Sequence, residues 1–145
     1  MRTPEARCVL LANPHHGMSE GIRGLLSTTF EAVVIVADEV SLLESASRLK
    51  NDMAVVDLAL SKENPLELVR QLRARFPKMK VIIVSAYNDW GMSQAVLEAG
   101  ADGYVTKHSI ATDLLSATDA VLAGKRYVSS DVREKRGAVP FSSRP

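Results

Sequence analysis

Residues 80–107 read KVIIVSAYNDWGMSQAVLEAGADGYVTK, and this one stretch decides the class of fold. Its first part, residues 80–85, is a short run of β-branched apolar residues without clean alternation, which marks a strand buried on both faces. Met92, Val96 and Leu97 then fall on one stripe of a helix. Gly100 stands just past that helix, where a left-handed residue is commonly required. Residues 103–106 (GYVT) resume as a strand, so the stretch is a strand–helix–strand unit.

Working outward, the same alternation repeats. Apolar β-branched runs occur at residues 8–12 (CVLLA), 33–37 (VVIVA) and 53–57 (MAVVD). Helical stripes lie between and after them: Ile22, Leu25 and Leu26; Leu42, Leu43, Ala46 and Leu49; Leu66, Val69, Leu72 and Phe76; Leu114, Leu115, Ala117, Val121 and Leu122. Strand and helix alternate five times. Right-handed crossovers then give an α/β fold with a doubly wound five-stranded parallel sheet between two helix layers. Ser41 with Glu44 reads as a capping box for the second helix. Asn64 and Pro65 open the third, Pro77 ends it after Phe76, and Gly124 follows the fifth.

The chain has 145 residues and a net charge of +1. That length suits one domain, and the mixed charges offer no field of one sign for nucleic acid or a membrane surface. The single cysteine, Cys8, cannot form an internal disulfide and reads as a small packed hydrophobe. No signal-peptide pattern and no membrane-length apolar run occurs, so the expectation is a cytoplasmic protein. Residues 1–130 read as the domain. Residues 131–145, polar, basic and rich in Gly, Ser and Pro, read as a tail or linker stub.

In an open parallel sheet the functional residues gather at the carboxyl ends of the strands. Asn13, Pro14, His15 and His16 follow the first strand, Asp57 ends the third, Ser85 and Ala86 end the fourth, and Lys107 follows the fifth. One carboxylate, one hydroxyl and one ammonium therefore converge on one edge. A carboxylate there can attack a phosphoryl donor, a cation can stabilise charge on phosphoryl oxygens, and a hydroxyl can donate to a new phosphate oxygen. The plainer reading of Asp57 with Lys107 is a structural ion pair.

Five ordered blocks carry a resemblance: residues 9–21 (VLLANPHHGMSEG), 54–58 (AVVDL), 80–86 (KVIIVSA), 99–107 (AGADGYVTK) and 120–130 (AVLAGKRYVSS). They resemble the receiver domain of two-component response regulators, the CheY-like, flavodoxin-like fold, and the last two blocks are most similar to the NarL/FixJ type. The resemblance spans roughly residues 7–130. It implies that Asp57 is the phosphoacceptor, that Ser85 and Lys107 contact the phosphoryl group, and that Tyr104 is the aromatic that changes rotamer. It implies no turnover enzyme but a signalling module whose partner is a histidine kinase or another signalling protein, with homodimerisation through the fourth or fifth helix as an option.

The sequence departs from that family where an acidic pair should stand. Asn13 falls on the outer carboxylate and Pro14 on the one that ligates Mg²⁺, and proline has no side-chain ligand. The expectation is weak Mg²⁺ binding, with Asp57 the one remaining carboxylate ligand, and weak or absent phosphorylation. The segment 61–65 (SKENP) also departs from the family's usual turn. Two other readings of the first loop carry less. Adjacent His15 and His16 can bind a transition metal, but neighbours seldom point at one ion and no Cys accompanies them. A cobalamin-binding domain shares the topology, but Asn13 and Met18 break its Asp-x-His-x-x-Gly spacing.

Tyr87, Trp90 and Tyr104 cluster around the fourth loop and fifth strand, as core packing or as anchors of a docking face. Lys125, Arg126, Arg133, Lys135, Arg136 and Arg144 read as a solvated linker, so direct nucleic-acid binding by this domain is not expected. The alternative keeps a conventional phospho-accepting receiver that controls a DNA-binding domain joined after about Arg136.

Overall fold

The computed structural model describes residues 7–138, with side chains through residue 134. Six strands form one parallel sheet: β1 (Cys8–Ala12), β2 (Ala32–Val36), β3 (Met53–Asp57), β4 (Lys80–Ser85), β5 (Gly103–Thr106) and β6 (Tyr127–Val128). Their order across the sheet is β2-β1-β3-β4-β5-β6. The helices are α1 (His16–Leu26), α2 (Glu39–Arg48), α3 (Pro65–Arg75), α4 (Trp90–Ala99), α5 (Ile110–Leu122) and α6 (Ser130–Ala138).

The strands bury both faces. Leu10, Ala12, Ala54, Val56, Val81 and Ile83 join the core under α2, α3 and α4. Val9, Leu11, Met53, Val55, Ile82 and Val84 join the core under α1 and α5. Full burial of a Val or Leu side chain contributes about 1.5–3 kcal/mol, which is why such runs are held in the central strands. The edge strand β2 is only half buried, so its expected boundary slides by one residue.

Three local readings change. The sheet has six strands, not five: Tyr127 and Val128 pair with Gly103 and Tyr104 along the outer side of β5. The second helix starts earlier, at Glu39, because Asp38 and not Ser41 is its cap; the Asp38 carboxylate accepts from the Ser41 N–H at 2.8 Å. That bond holds the Asp38 carboxyl below its ordinary value. Where the sequence suggests a tail, the chain forms α6, because Val132 is fully buried against the core beneath α4. Arg144 and the rest of residues 139–145 lie outside the described residues, as do the side chains of Lys135 and Arg136.

Other readings are met directly. Asn64 caps α3 through the Glu67 N–H. Gly100 and Gly124 have φ of 126° and 88°, a region that favours glycine. At Gly100 a Cβ would also lie 2.7 Å from the Arg73 Cβ, so no other residue fits there without a shift. The Cys8 reading as a packed hydrophobe changes: it is only partly buried, and its Sγ–H donates to Asn51 Oδ1 at 3.1 Å. Burial, then the Asp52 charge, pushes its thiol up, away from reactivity.

Candidate functional site

The strand order reverses between β1 and β3, and the residues that follow those strands sit side by side. Ala12 pairs with Val56, so Asn13 and Asp57 are the next positions along neighbouring strands. Asp57 pairs with Val84, and Ser85 with Thr106, which puts Ser85 and Lys107 on the same edge. The register therefore brings together the four side chains expected from the sequence.

Asp57 is 2% exposed. Its Oδ1 accepts from the Ala59 N–H at 2.8 Å, closing the short 3₁₀ turn 58–60. Its Oδ2 lies 2.8 Å from Lys107 Nζ and accepts no other hydrogen bond among the described residues. A charge buried to this degree needs a partner, and the ammonium is that partner. Lys107 approaches from the end of β5 through a second 3₁₀ turn, 107–109.

Asn13 is also 2% exposed, and its amide has a fixed orientation. Oδ1 accepts from the His15 N–H at 2.9 Å, in an Asx turn that launches α1. Nδ2 is buried and has no partner among the described residues. Pro14 is exposed, and His15 and His16 lie exposed beside it. Among the described residues no three His, Cys, Asp or Glu side chains group closely enough to hold a metal ion.

Ser85 is buried, and its Oγ accepts from the Tyr87 N–H at 3.1 Å. The Tyr104 hydroxyl donates to the Tyr87 carbonyl at 2.6 Å. Tyr104 is fully buried and points into the protein, so of the three aromatics expected at a docking face it offers no surface. Burial is the main reason its hydroxyl is pushed above the ordinary tyrosine value. Tyr87 is 63% exposed at the mouth of the site, and Trp90 is half buried at the start of α4. Asp57, Ser61, Pro65, Ser85, Tyr87 and Lys107 line one cleft of about 360 Å³.

The sequence reading missed a polar network one residue from Lys107. Thr106 Oγ1 donates to Asp131 Oδ2 at 2.8 Å, and the Ser129 hydroxyl donates to Asp131 Oδ1 at 2.9 Å. The Thr106 N–H donates to Ser129 Oγ at 3.2 Å. Together they fasten the start of α6 to the end of β5. The signal was the run 129–131 (SSD) after a short apolar pair, a pattern that opens a helix.

Comparison with known proteins places this geometry. Residues 9–119 match the family described as response regulator receiver domain. The chain is 29% identical over 126 residues to the transcriptional regulatory protein DegU of Brevibacillus brevis, covering 86% of this chain and 53% of that protein. It is 28% identical over 136 residues to response regulator GacA of Pseudomonas viridiflava, covering 92% and 63%. The chain thus spans between about half and two thirds of the length of these curated relatives. Among solved structures, a two-component response regulator of the LuxR family from Aurantimonas sp. SI85-9A1 superposes with a TM-score of 0.82 at 27% identity, over 92% of this chain and 96% of that one. The isolated REC domain of RcsB from Salmonella enterica serovar Typhimurium, with the phosphomimetic BeF3-, superposes with a TM-score of 0.79 at 23% identity, over 90% and 98%; that likeness speaks to fold alone.

Proposed function

This chain belongs to the response regulator receiver domain family, of NarL/FixJ type, and from that premise we propose a two-component signalling module in which Mg²⁺-dependent phosphorylation of Asp57 is weak or absent. Its output then runs through protein–protein contact, with a histidine kinase or another signalling protein as partner in the cytoplasm. Among the described residues no helix is long and apolar enough to cross a membrane.

Receiver domains typically use Mg²⁺ for phosphorylation, and the residues present do not fit that ion. Mg²⁺ demands near-octahedral oxygen ligation with carboxylates among its ligands. Beside Asp57 stand a neutral amide, whose oxygen accepts from the His15 N–H, and a proline, so neither neighbour supplies a carboxylate. Pro14, which offers no side-chain ligand beside Asp57, is the single observation that carries this reading.

The contacts of the remaining residues support a reading that needs no ion. Lys107 neutralises the Asp57 carboxylate, Ala59 N–H fixes its rotamer, and Ser85 holds the loop that bears Tyr87. Tyr87, exposed at the mouth of the cleft, supplies an amphipathic anchor for a partner.

Incubating the full chain with Mg²⁺ and acetyl phosphate and measuring intact mass tests the reading. The expected result is no stable phosphoryl adduct, with a Mg²⁺-dependent adduct gained in the double variant Asn13→Asp, Pro14→Asp. Efficient Mg²⁺-dependent modification of the unsubstituted chain overturns it.

A second reading is favoured by one observation: Asp57, Ser85 and Lys107 line the same cleft. It keeps Asp57 as a conventional phosphoacceptor that controls a DNA-binding output. Mg²⁺ binding in the millimolar range that vanishes in Asp57→Asn decides in its favour.

A further inference from the structure

A cleft of about 590 Å³ lies at the opposite end of the sheet from Asp57, at the amino ends of the strands. We propose that this cleft binds a small organic anion, an apolar body bearing one sulfonate, phosphate or carboxylate group.

Three observations carry the proposal. The first is the wall. Leu49, Phe76, Met79 and Leu122 line the cleft, and Leu49 keeps 42% of its surface exposed there. The volume falls in the range of small-ligand clefts, and half of the lining residues are apolar.

The second is charge. Arg7, Lys50, Lys78 and Lys80 line the same cleft, against the one carboxylate of Asp52. None of the four forms an ion pair among the described residues. The Asp52 carboxylate is engaged by the Cys8 N–H at 2.9 Å.

The third decides whether those cations serve the fold alone. The C-terminal ends of α2, α3 and α5 reach the cleft at Leu49, Phe76 and Leu122. Each helix end carries roughly half a negative charge, so three of them offset about half of the net three positive charges. Among the described residues the remaining excess has no carboxylate partner. A bound anion matches it, and the apolar wall takes the rest of the molecule out of water.

The experiment titrates the full chain with 8-anilinonaphthalene-1-sulfonate and follows fluorescence and the methyl signals of Leu49, Met79 and Met92. The expected result is saturable binding of one equivalent, with shifts at Leu49 and Met79 and none at Met92 beside Asp57. The double variant Lys50→Gln, Lys78→Gln, altered at two exposed positions, weakens binding about tenfold, and added salt weakens it in the unsubstituted chain. Asp57→Asn leaves the affinity unchanged, which separates this cleft from the phosphoacceptor edge. Equal affinity for the uncharged N-phenyl-1-naphthylamine, affinity unchanged in the lysine variant, more than one equivalent bound, or sedimentation of the chain with anionic phospholipid vesicles each overturns the proposal.

Discussion

Asp57 and Asp113 are both buried carboxylates, 2% and 5% exposed, and they are satisfied in opposite ways. Asp113, on α5, is closed by neutral donors: the Tyr127 hydroxyl at 2.6 Å, the Ser130 hydroxyl at 3.0 Å and the Ser130 N–H at 3.3 Å. Those donors come from β6 and the start of α6, so the carboxylate acts as a fastener for that segment. Asp57 has one backbone donor and one ammonium, and the neighbouring Asn13 Nδ2 has no partner among the described residues. A carboxylate ringed by neutral donors needs no counter-charge, whereas Asp57 depends on the Lys107 ammonium for its own.

The largest expected effect lies on the Asp57 side. Lys107→Met leaves a buried carboxylate without its cation and costs about 3 kcal/mol, read from urea denaturation. Adding Asp57→Asn to that variant restores most of the loss; if it restores nothing, the ion pair is not what holds this edge. On the other side, Asp113→Ala strands the donors of Tyr127 and Ser130 and costs about 2 kcal/mol. Hydrogen exchange should quicken over α6 in that variant and stay unchanged around β1. Quickening across the whole sheet breaks the distinction between the two carboxylates.

The pH dependence sharpens it further. Burial alone would push the Asp113 carboxyl up, but the hydrogen bonds from Tyr127 and Ser130 outweigh burial and hold it below its ordinary value. A depressed folded value means stability that is present above the ordinary carboxylate range and lost as pH falls through the folded value. Tyr127 mirrors this. Burial first, and then the bond to Asp113, push its hydroxyl up from 10.0 to about 12. Its contribution is whole below pH 10 and is lost as pH rises towards 12, because the unfolded chain gives up the proton first. Thermal melts across that window should flatten in Tyr127→Phe; an unchanged slope would assign the alkaline loss to other groups.

The smallest effect is a control away from both carboxylates. Gly21 and Gly24 lie inside α1 with open space where a Cβ would stand and without positive φ. Replacing either with Ala gains about 0.5–1 kcal/mol by removing freedom from the unfolded chain. A loss in Tm there would show that α1 is constrained by something beyond its own helix.

The central architecture was legible because it rests on strands buried on both faces. The runs at Cys8–Ala12, Met53–Asp57, Lys80–Ser85 and Gly103–Thr106 have the boundaries that their apolar residues announce. Legibility failed where burial is partial or where polar groups choose among partners. At the edge, β2 shows little contrast between faces, β6 has two residues, and α6 buries Val132 alone among its described side chains and is otherwise tied by polar bonds. Asp38 took the cap from Ser41 because both are able caps and local geometry chooses between them. At the site, the residues meeting at the strand ends follow from topology. The outward clue that was missing is which way the Asn13 amide turns, since that depends on the His15 N–H and not on residue type.

The two-residue strand β6 has one more consequence. By lying along β5 it covers a row of backbone groups that would otherwise face solvent, so among the described residues the sheet presents its long open margin at β2. That margin reads AVVIV, five uncharged residues of high strand propensity. A lysine placed in β2 is the change expected to raise solubility in concentrated solution, by blunting edge-to-edge pairing at that margin.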